Sequence, residues 1–426
     1  MKSCVLAPCA ALVIVSAATL SAQTAARALS IDDAVKEALQ KNRTLLAQRA
    51  NLAIADAAVV TASLRPNPVL TADADSLDLL GTGFDATNNA GPPQLAVRVD
   101  VPIERAHKRE LRTSLAGVGK QLAEAQFADA SRRLALDVTV ACVDVLEAKA
   151  KLQLAVENLQ TLQQLVDLNE RRLASGAIAP LEVSRSRVAM LQYRGNVRTA
   201  ELALAEARLK LMPLLGRAPG EPPVDVDDQL RSSPAGTAPN LAELLATART
   251  RRPDLVAGRA DRARTQADFR LQLAQGKVDY TLGAEYRRQQ GIAGRGNMAG
   301  FFVSVPLPIF NRNQGEIARA EAEQAKAGQT LSALEADVAA EVTSAFAEFE
   351  SARGLLIDIE RDLLQPARDA RAGTTYTYQA GATSLVDVLD AQRAFNDTMD
   401  SYYTAQAAYR RAQARLALVS GGEGLR

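Results

Sequence analysis

The sequence predicts a mainly α fold of very long helical hairpins, joined to four short β-strands of membrane-barrel type. Three observations carry that prediction: a composition rich in alanine and leucine, motifs that occur twice in the same order, and four segments that alternate apolar and polar residues. The 426 residues are 47% hydrophobic but only 4% aromatic, and tryptophan is absent. Compact cores draw on large rings, whereas alanine and leucine with dispersed Arg, Glu, Gln and Asp serve long packed helices. A formal net charge of +1 lacks the concentrated basic excess that phosphate binding uses, so no nucleic-acid partner is expected.

Residues 1–22 read as a secretory signal peptide. Met1-Lys2 precedes an apolar run from Val5 to Leu20, and Ser21-Ala22 supplies the small residues before Gln23. No other apolar run approaches the roughly 20 residues of a membrane-spanning helix. Cys4 and Cys9 leave with the signal, so the mature chain keeps Cys142 and can form no intramolecular disulfide. Oligomerisation is the expected source of stability.

The chain is written twice. VRVDVPIERAHKRE at 97–110 matches VSVPLPIFNRNQGE at 303–316, and ASGAIAPLEVSR at 174–185 matches QAGATSLVDVLD at 379–390. Each half also opens on a helix with a similar turn, Lys41-Asn42-Arg43-Thr44-Leu45 and Arg251-Arg252-Pro253-Asp254-Leu255. The pairs lie about 205 to 210 residues apart in one order, which indicates tandem duplication. The expected units are a first repeat over 23–212, a Pro/Gly-rich linker over 213–239 and a second repeat over 240–426.

The first repeat begins with a helix over Ile31–Leu64, apolar at Ile31, Ala34, Val35, Ala38 and Leu39, capped by Ser30 and stopped by Arg65-Pro66-Asn67-Pro68. Two strands follow, separated by a Gly, Asn and Pro-rich loop over Gly81–Pro93. After Pro102 a helix of about 70 residues runs without internal proline to Ala174. Leu111, Leu115, Val118 and Leu122, then Leu152, Val156, Leu159 and Leu162, mark its packing seam. Gly176 and Pro180 end it, and a return helix runs to Met212.

The second repeat follows the same order. It has a helix over Asn240–Gln275, two strands within Asp279–Pro306, a helix from Gln314 past Pro366, a turn at Gly381 and a final helix ending near Ser420. At about 1.5 Å per residue the long helices reach about 100 Å, so each hairpin is a rod.

All four strands alternate. Leu95, Val97, Val99 and Val101 oppose Ala96, Arg98 and Asp100; Leu70, Ala72 and Ala74 oppose Thr71, Asp73 and Asp75. Tyr280, Leu282, Ala284 and Tyr286 oppose Thr281, Glu285 and Arg287; Phe301, Val303 and Val305 oppose Gly300, Phe302 and Ser304. A membrane barrel has this pattern, and so does a soluble sheet with one face on a core. Open edges do not occur in lipid, so strands that span a bilayer must share a barrel with other copies.

With these features in place the sequence resembles the TolC-like outer-membrane efflux proteins over essentially the whole mature chain. The duplicated order, the strand exits VDVPIERAHKRE and VSVPLPIFNRNQGE, and the turn YQAGATSLVDVLDAQ at 378–392 carry the resemblance. Pro306-Leu307-Pro308-Ile309-Phe310-Asn311-Arg312-Asn313-Gln314-Gly315 is most similar to the branch that serves heavy-metal pumps, the CzcC-like proteins. The resemblance implies a homotrimeric outer-membrane duct with a twelve-stranded barrel in lipid and a long periplasmic helical tunnel. It also implies a periplasmic adaptor and an inner-membrane RND-type pump as partners, and passive export rather than catalysis.

It further implies a periplasmic gate near the two turns. Tyr378 and Glu182 correspond to a tyrosine–carboxylate link between neighbouring coils, Asp387 and Asp390 to a ring of aspartates at the constriction, and Gly176 and Gly381 to the glycines of the turns. Thr383 stands where the family places an arginine, and Arg185 or Arg187 is expected to substitute for it. Three copies of Asp387 and Asp390 would form an acidic ring that favours cations. As ordinary helix charges they would simply be solvated.

Other signals lead elsewhere. His107, the single histidine, lies among Arg105, Lys108 and Arg109 and reads as a surface residue. No converging ligand set suggests a bound metal, and no phosphate loop, nucleophile elbow or cofactor motif is present. Cys142, among Val138, Val140 and Val143, reads as a small apolar residue. The alternatives are a duct for drugs or organic solutes and, from another class, a periplasmic coiled-coil scaffold.

Overall fold

The structure is a computed structural model. It describes residues 29–75, 77, 79, 81, 94–218, 220–232, 234, 239–291 and 294–421. The signal peptide expected over 1–22 and most of the loop expected over 81–93 lie outside them. In chain order the elements are α1 (Ile31–Lys41), α2 (Arg43–Ser63), β1 (Val69–Asp75), β2 (Gln94–Ile103), α3 (Lys108–Ala174), α4 (Pro180–Leu214), α5 (Leu241–Arg251) and α6 (Pro253–Gln275). β3 (Tyr280–Gly291), β4 (Gly294–Ser304), α7 (Gln314–Asp358), a π-helical turn (Ile359–Leu363), α8 (Leu364–Gln379) and α9 (Leu385–Val419) complete it. The 67 residues of α3 make a rod of about 100 Å.

Both helices expected to open the repeats are broken, and for related reasons. Asn42 is extended, at φ −61° and ψ 121°. Its side chain accepts from Leu45 N at 2.9 Å, capping α2, and donates to Leu214 O at 3.0 Å, closing the end of α4. Arg252 occupies the same place in the second half, held extended by Pro253. Its Nη1 donates to Val419 O at 3.1 Å at the end of α9. Each return helix then ends on a left-handed glycine against this break. A Cβ on Gly216 (φ +75°) would lie 2.2 Å from Lys41 O, and one on Gly421 (φ +70°) 3.3 Å from Arg251 Cβ. Glycine is required at both positions for conformation, and at Gly216 for space as well.

Two cores correspond to the two halves. Ala34, Ala38, Leu45, Val138, Val145 and Leu211 are buried together in one, with Val224 and Val226 of the proline-rich segment. Leu255, Val342, Ala345, Leu356, Tyr409 and Leu416 form the other. The proline-rich segment is pinned to the helices rather than free. Leu29 N donates to Asp225 O and Asp227 N to Leu29 O, both at 3.0 Å, and Ser232 N donates to Gln406 Oε1 at 3.0 Å. The return helix continues two residues beyond the expected Met212 and holds Pro213 in its last turn. The helix expected past Pro366 is interrupted by the π-helical turn. Proline lacks the N–H that a regular α-helix would use there.

The strands form one antiparallel sheet in the order β1-β2-β3-β4. Val97 lies opposite Ala72 and Tyr286, and Val99 opposite Leu70 and Ala284. Leu70, Val97, Val99, Leu282, Phe301 and Val303 therefore share one face, and that face is exposed, Phe301 to 89%. A soluble sheet covers its apolar face with a core. Here the covering medium is external, and the polar face carries paired charges, as membrane strands do. No helix among the described residues is long and apolar enough to cross a membrane.

Candidate functional site: the paired helical turns

The far ends of the two hairpins are built alike. α3 closes with Gly176 N donating to Leu173 O (2.9 Å) and Ala177 N to Arg172 O (2.8 Å). α8 closes with Gly381 N donating to Tyr378 O (3.0 Å) and Ala382 N to Thr377 O (2.9 Å). Gly176 and Gly381 sit at φ +75° and +80°, and a Cβ added at either would meet nothing within 4 Å. Backbone conformation alone selects glycine there. Pro180 starts α4, and Ser384 with Asp387 forms a capping box that starts α9.

The two turns are cross-linked in two polar layers. In the lower layer Tyr378, on α8, donates its hydroxyl to Asn169 Oδ1 of α3 at 2.7 Å. Arg172 reaches the same turn, with Nη1 donating to Tyr378 O (3.1 Å) and Nη2 to Gln379 O (2.6 Å). Its guanidinium stands 5.1 Å from the centre of the Tyr378 ring. The upper layer lies eleven residues up α3, about 16 Å. There Gln392 donates to Asn158 Oδ1 and to Asn396 Oδ1, each at 3.0 Å, and Asn396 donates to Tyr193 Oη at 2.6 Å. Leu162, Leu165, Leu385 and Val388 fill the space around these layers. Polar residues at seam positions fix the register of packed helices. A cavity of about 310 Å³ opens between α3, α8 and α9, lined among others by Gln164, Arg171, Thr375, Tyr378 and Gln392.

Burial pushes the Tyr378 hydroxyl above the ordinary tyrosine range, opposed by the bond to Asn169, with the nearby Glu182 charge adding a smaller upward push. Asn169 is fully buried, and its Nδ2 has no partner. An orphaned buried donor costs about 1–3 kcal/mol, so the lower layer is held together less tightly than it could be.

The tyrosine–carboxylate link expected between Tyr378 and Glu182 is not made within the protomer. The Tyr378 ring faces α3, where Asn169 takes the hydroxyl, while Glu182 stands half-buried in the first turn of α4. Asp387 turns its carboxylate back onto Ser384, accepting from Ser384 N (3.0 Å) and Oγ (2.7 Å), and these bonds hold its pKa below the ordinary value. Asp390 is exposed and pairs with Arg393 at 3.3 Å. Arg187 pairs with Glu170 at 2.6 Å, and Thr383 Oγ1 lies 3.1 Å from Thr377 Oγ1. The arginine that joins the turns is therefore Arg172, a residue the sequence does not single out, as it does not Asn169, Asn158 or Gln392. One signal is nevertheless visible: Leu154, Asn158, Leu162, Leu165 and Asn169 are spaced 4-4-3-4, and all five are buried. That seam shares Leu162 with the expected one, whose Val156 is exposed.

Among the described residues no group of three or more His, Cys, Asp and Glu is placed to hold a metal ion. His107 is the left-handed residue that precedes α3, at φ 57°, as Asn313 precedes α7 at φ 65°. Cys142 is buried, and burial pushes its thiol up to about 12.

A sheet with its apolar face outward, carried on rods about 100 Å long that end in cross-linked turns, defines the class of outer-membrane ducts. The family model described as outer membrane efflux protein matches residues 34–217 and 244–422, and the chain belongs to that family. Members are passive outer-membrane channels, not enzymes. The cobalt-zinc-cadmium resistance protein CzcC of Cupriavidus metallidurans is 27% identical over 369 residues, spanning 87% of this chain and 84% of that protein. The pyoverdine export outer membrane protein OpmQ of Pseudomonas putida is 27% identical over 408 residues, 88% of this chain and 82% of its own. The solved structure of the outer-membrane channel OprN superposes with a TM-score of 0.75 at 21% identity, covering 92% of this chain and 90% of that one.

Proposed function

We propose that the chain is the outer-membrane subunit of a tripartite system that exports heavy-metal cations. It works as a homotrimer coupled to a periplasmic adaptor and an inner-membrane RND-type pump. The observation that supports the cargo is the likeness to a cobalt-zinc-cadmium resistance protein over 84% of that protein's length. The open edges of the four-stranded sheet favour the trimer, because three copies close a twelve-stranded barrel with no edge left in lipid. In this reading the paired turns hold the resting duct shut at its periplasmic end, through Tyr378–Asn169 and Arg172. Asp387 and Asp390 of three copies line the narrow end and favour cations there, with Glu182 acting between neighbouring copies. The subunit conducts metal ions as cargo, and energy comes from the pump.

A second reading, export of organic solutes, is favoured by the equally extensive likeness to a pyoverdine export protein. The two are separated by susceptibility of a deletion strain, with and without the gene restored, to zinc, cobalt, cadmium, copper and silver alongside dyes and antibiotics. Restored tolerance confined to metals is the expected result. Restored tolerance confined to organic compounds transfers the assignment to the second reading.

A further inference from the structure

The polar face of the sheet carries a construction that the helices and turns do not use. On β2, Arg98 holds Asp100 two residues on, Nε and Nη2 donating to Oδ1 at 2.9 and 2.8 Å. The same guanidinium lies over the ring of Phe302 on β4, 4.3 Å from its centre. β3 runs between these strands, and in the row that joins Asp100 to Phe302 its residue is Gly283. A Cβ there would fall 2.4 Å from Asp100 Oδ1 and 3.1 Å from Arg98 Nε. Gly300 leaves room in the same way for Phe302, whose ring would stand 3.1 Å from an added Cβ. Neither glycine has a left-handed backbone, so both serve space rather than conformation. One row further, Glu285 accepts from Arg287 Nε at 2.9 Å, and Arg287 also donates to Gln94 Oε1 at 3.0 Å. Long charged side chains are laid along the wall in compensated pairs instead of standing off it.

We propose that Arg98, Asp100 and Phe302, seated in the space left by Gly283 and Gly300, are specificity-determining residues of the duct. They form a flat, charge-compensated lining on the lumen side of the barrel that keeps the way out open to cations. The inference rests on reading the sheet as one share of a trimeric barrel. Released from Asp100, the Arg98 guanidinium extends into the water-filled lumen, once per copy. Three such groups place a cationic ring across the path of a cationic cargo, as charged rings do in other pores. The carboxylate of Asp100 cancels that field at contact distance, and the Phe302 face holds the cation down.

The test uses purified trimers of the full chain. Phenylglyoxal labelling of Arg98, read by peptide mass spectrometry, reports release, and reversal potential in planar bilayers under a KCl gradient reports selectivity. In Asp100→Asn, Arg98 is expected to label faster than in wild type, and the reversal potential to move toward the chloride equilibrium potential. Arg98→Gln combined with Asp100→Asn restores neutrality and is expected to return the potential to its wild-type value. Gly283→Ala alters no charge but removes the space, and is also expected to speed labelling of Arg98. Equal labelling in wild type, Asp100→Asn and Gly283→Ala overturns the proposal, as does an unmoved reversal potential in Asp100→Asn. Absence of heat-sensitive trimers from the outer membrane for the wild-type chain would instead remove the underlying reading of the sheet.

Discussion

Tyr378→Phe removes one oxygen atom and leaves the rest of the lower layer in place. Arg172 bonds the carbonyl oxygens of Tyr378 and Gln379, which the substitution does not touch, and the ring over which it stands remains. What is lost is the 2.7 Å bond to Asn169 Oδ1. Asn169 is completely buried and its Nδ2 already lacks a partner, so the variant leaves the whole amide unsatisfied. That costs about 1–3 kcal/mol, or about 5- to 150-fold in the local opening equilibrium. Hydrogen exchange of the amides around Gly176 and Gly381 should quicken by such a factor, and the channel should open more often in planar bilayers. Asn169→Leu combined with Tyr378→Phe replaces both partners by apolar groups and should recover much of the loss. Glu182→Ala should have a much smaller effect on exchange at these turns, because the hydroxyl bonds Asn169 within the protomer. Wild-type exchange and conductance in Tyr378→Phe, with faster exchange at the turns in Glu182→Ala, would refute the assignment of Asn169 as the partner that matters.

Other contacts set further expectations. Gly176→Ala meets no neighbouring atom and should cost only the left-handed backbone, about 1–2 kcal/mol. Gly216→Ala drives a Cβ to 2.2 Å from Lys41 O and should yield no stable assembled protein by thermal melting. Arg252→Ala strips the two-point partner from Asp254, whose carboxylate is one-tenth exposed and keeps Leu255 N at 2.9 Å and Arg132 at 3.9 Å, and from Val419 O. Burial raises the pKa of Asp254 while Arg252 lowers it below the ordinary value on balance, so losing Arg252, with Arg132 still facing the carboxylate, should cost up to about 3 kcal/mol, read as a fall in thermal midpoint. The buried tyrosines 193, 378, 402 and 409 have hydroxyls raised above the ordinary value of 10 by burial. Their packing favours the neutral form, so its contribution is complete below pH 10 and is lost as pH rises through the higher folded-state values. Tyrosinate absorbance and exchange at the turns should therefore rise together above pH 10.

Much of the fold is legible in the sequence because its cues are local and repeated. The paired strand exits, the paired glycine turns and the uninterrupted run from Lys108 to Ala174 each state their element in the residues themselves. The breaks at Asn42 and Arg252 are harder to read. Pro253 marks the second locally, but both are fixed by a carbonyl about 170 residues away, Leu214 O and Val419 O, and apolar periodicity runs straight through Asn42. At the turns the sequence leads to Gly176, Gly381 and Tyr378, but not to the partners of Tyr378. A search for apolar seams skips Asn158 and Asn169, because amides at seam positions look like surface residues until the facing helix is known. Asp387 illustrates the converse. Its place three residues after Ser384 suits a capping box as well as a pore ring, and the protomer uses it for the cap.

An outer-membrane channel of this family has to assemble from several copies of the chain. The most direct measurement separates the membranes of cells expressing the full chain, compares heated and unheated electrophoresis of the outer-membrane fraction, and reconstitutes the protein in planar bilayers. The predicted result is an outer-membrane species that runs as a trimer unheated, collapses to the mature monomer on heating, and passes ion current. Recovery of the chain as a soluble periplasmic rod with no current in bilayers would contradict it.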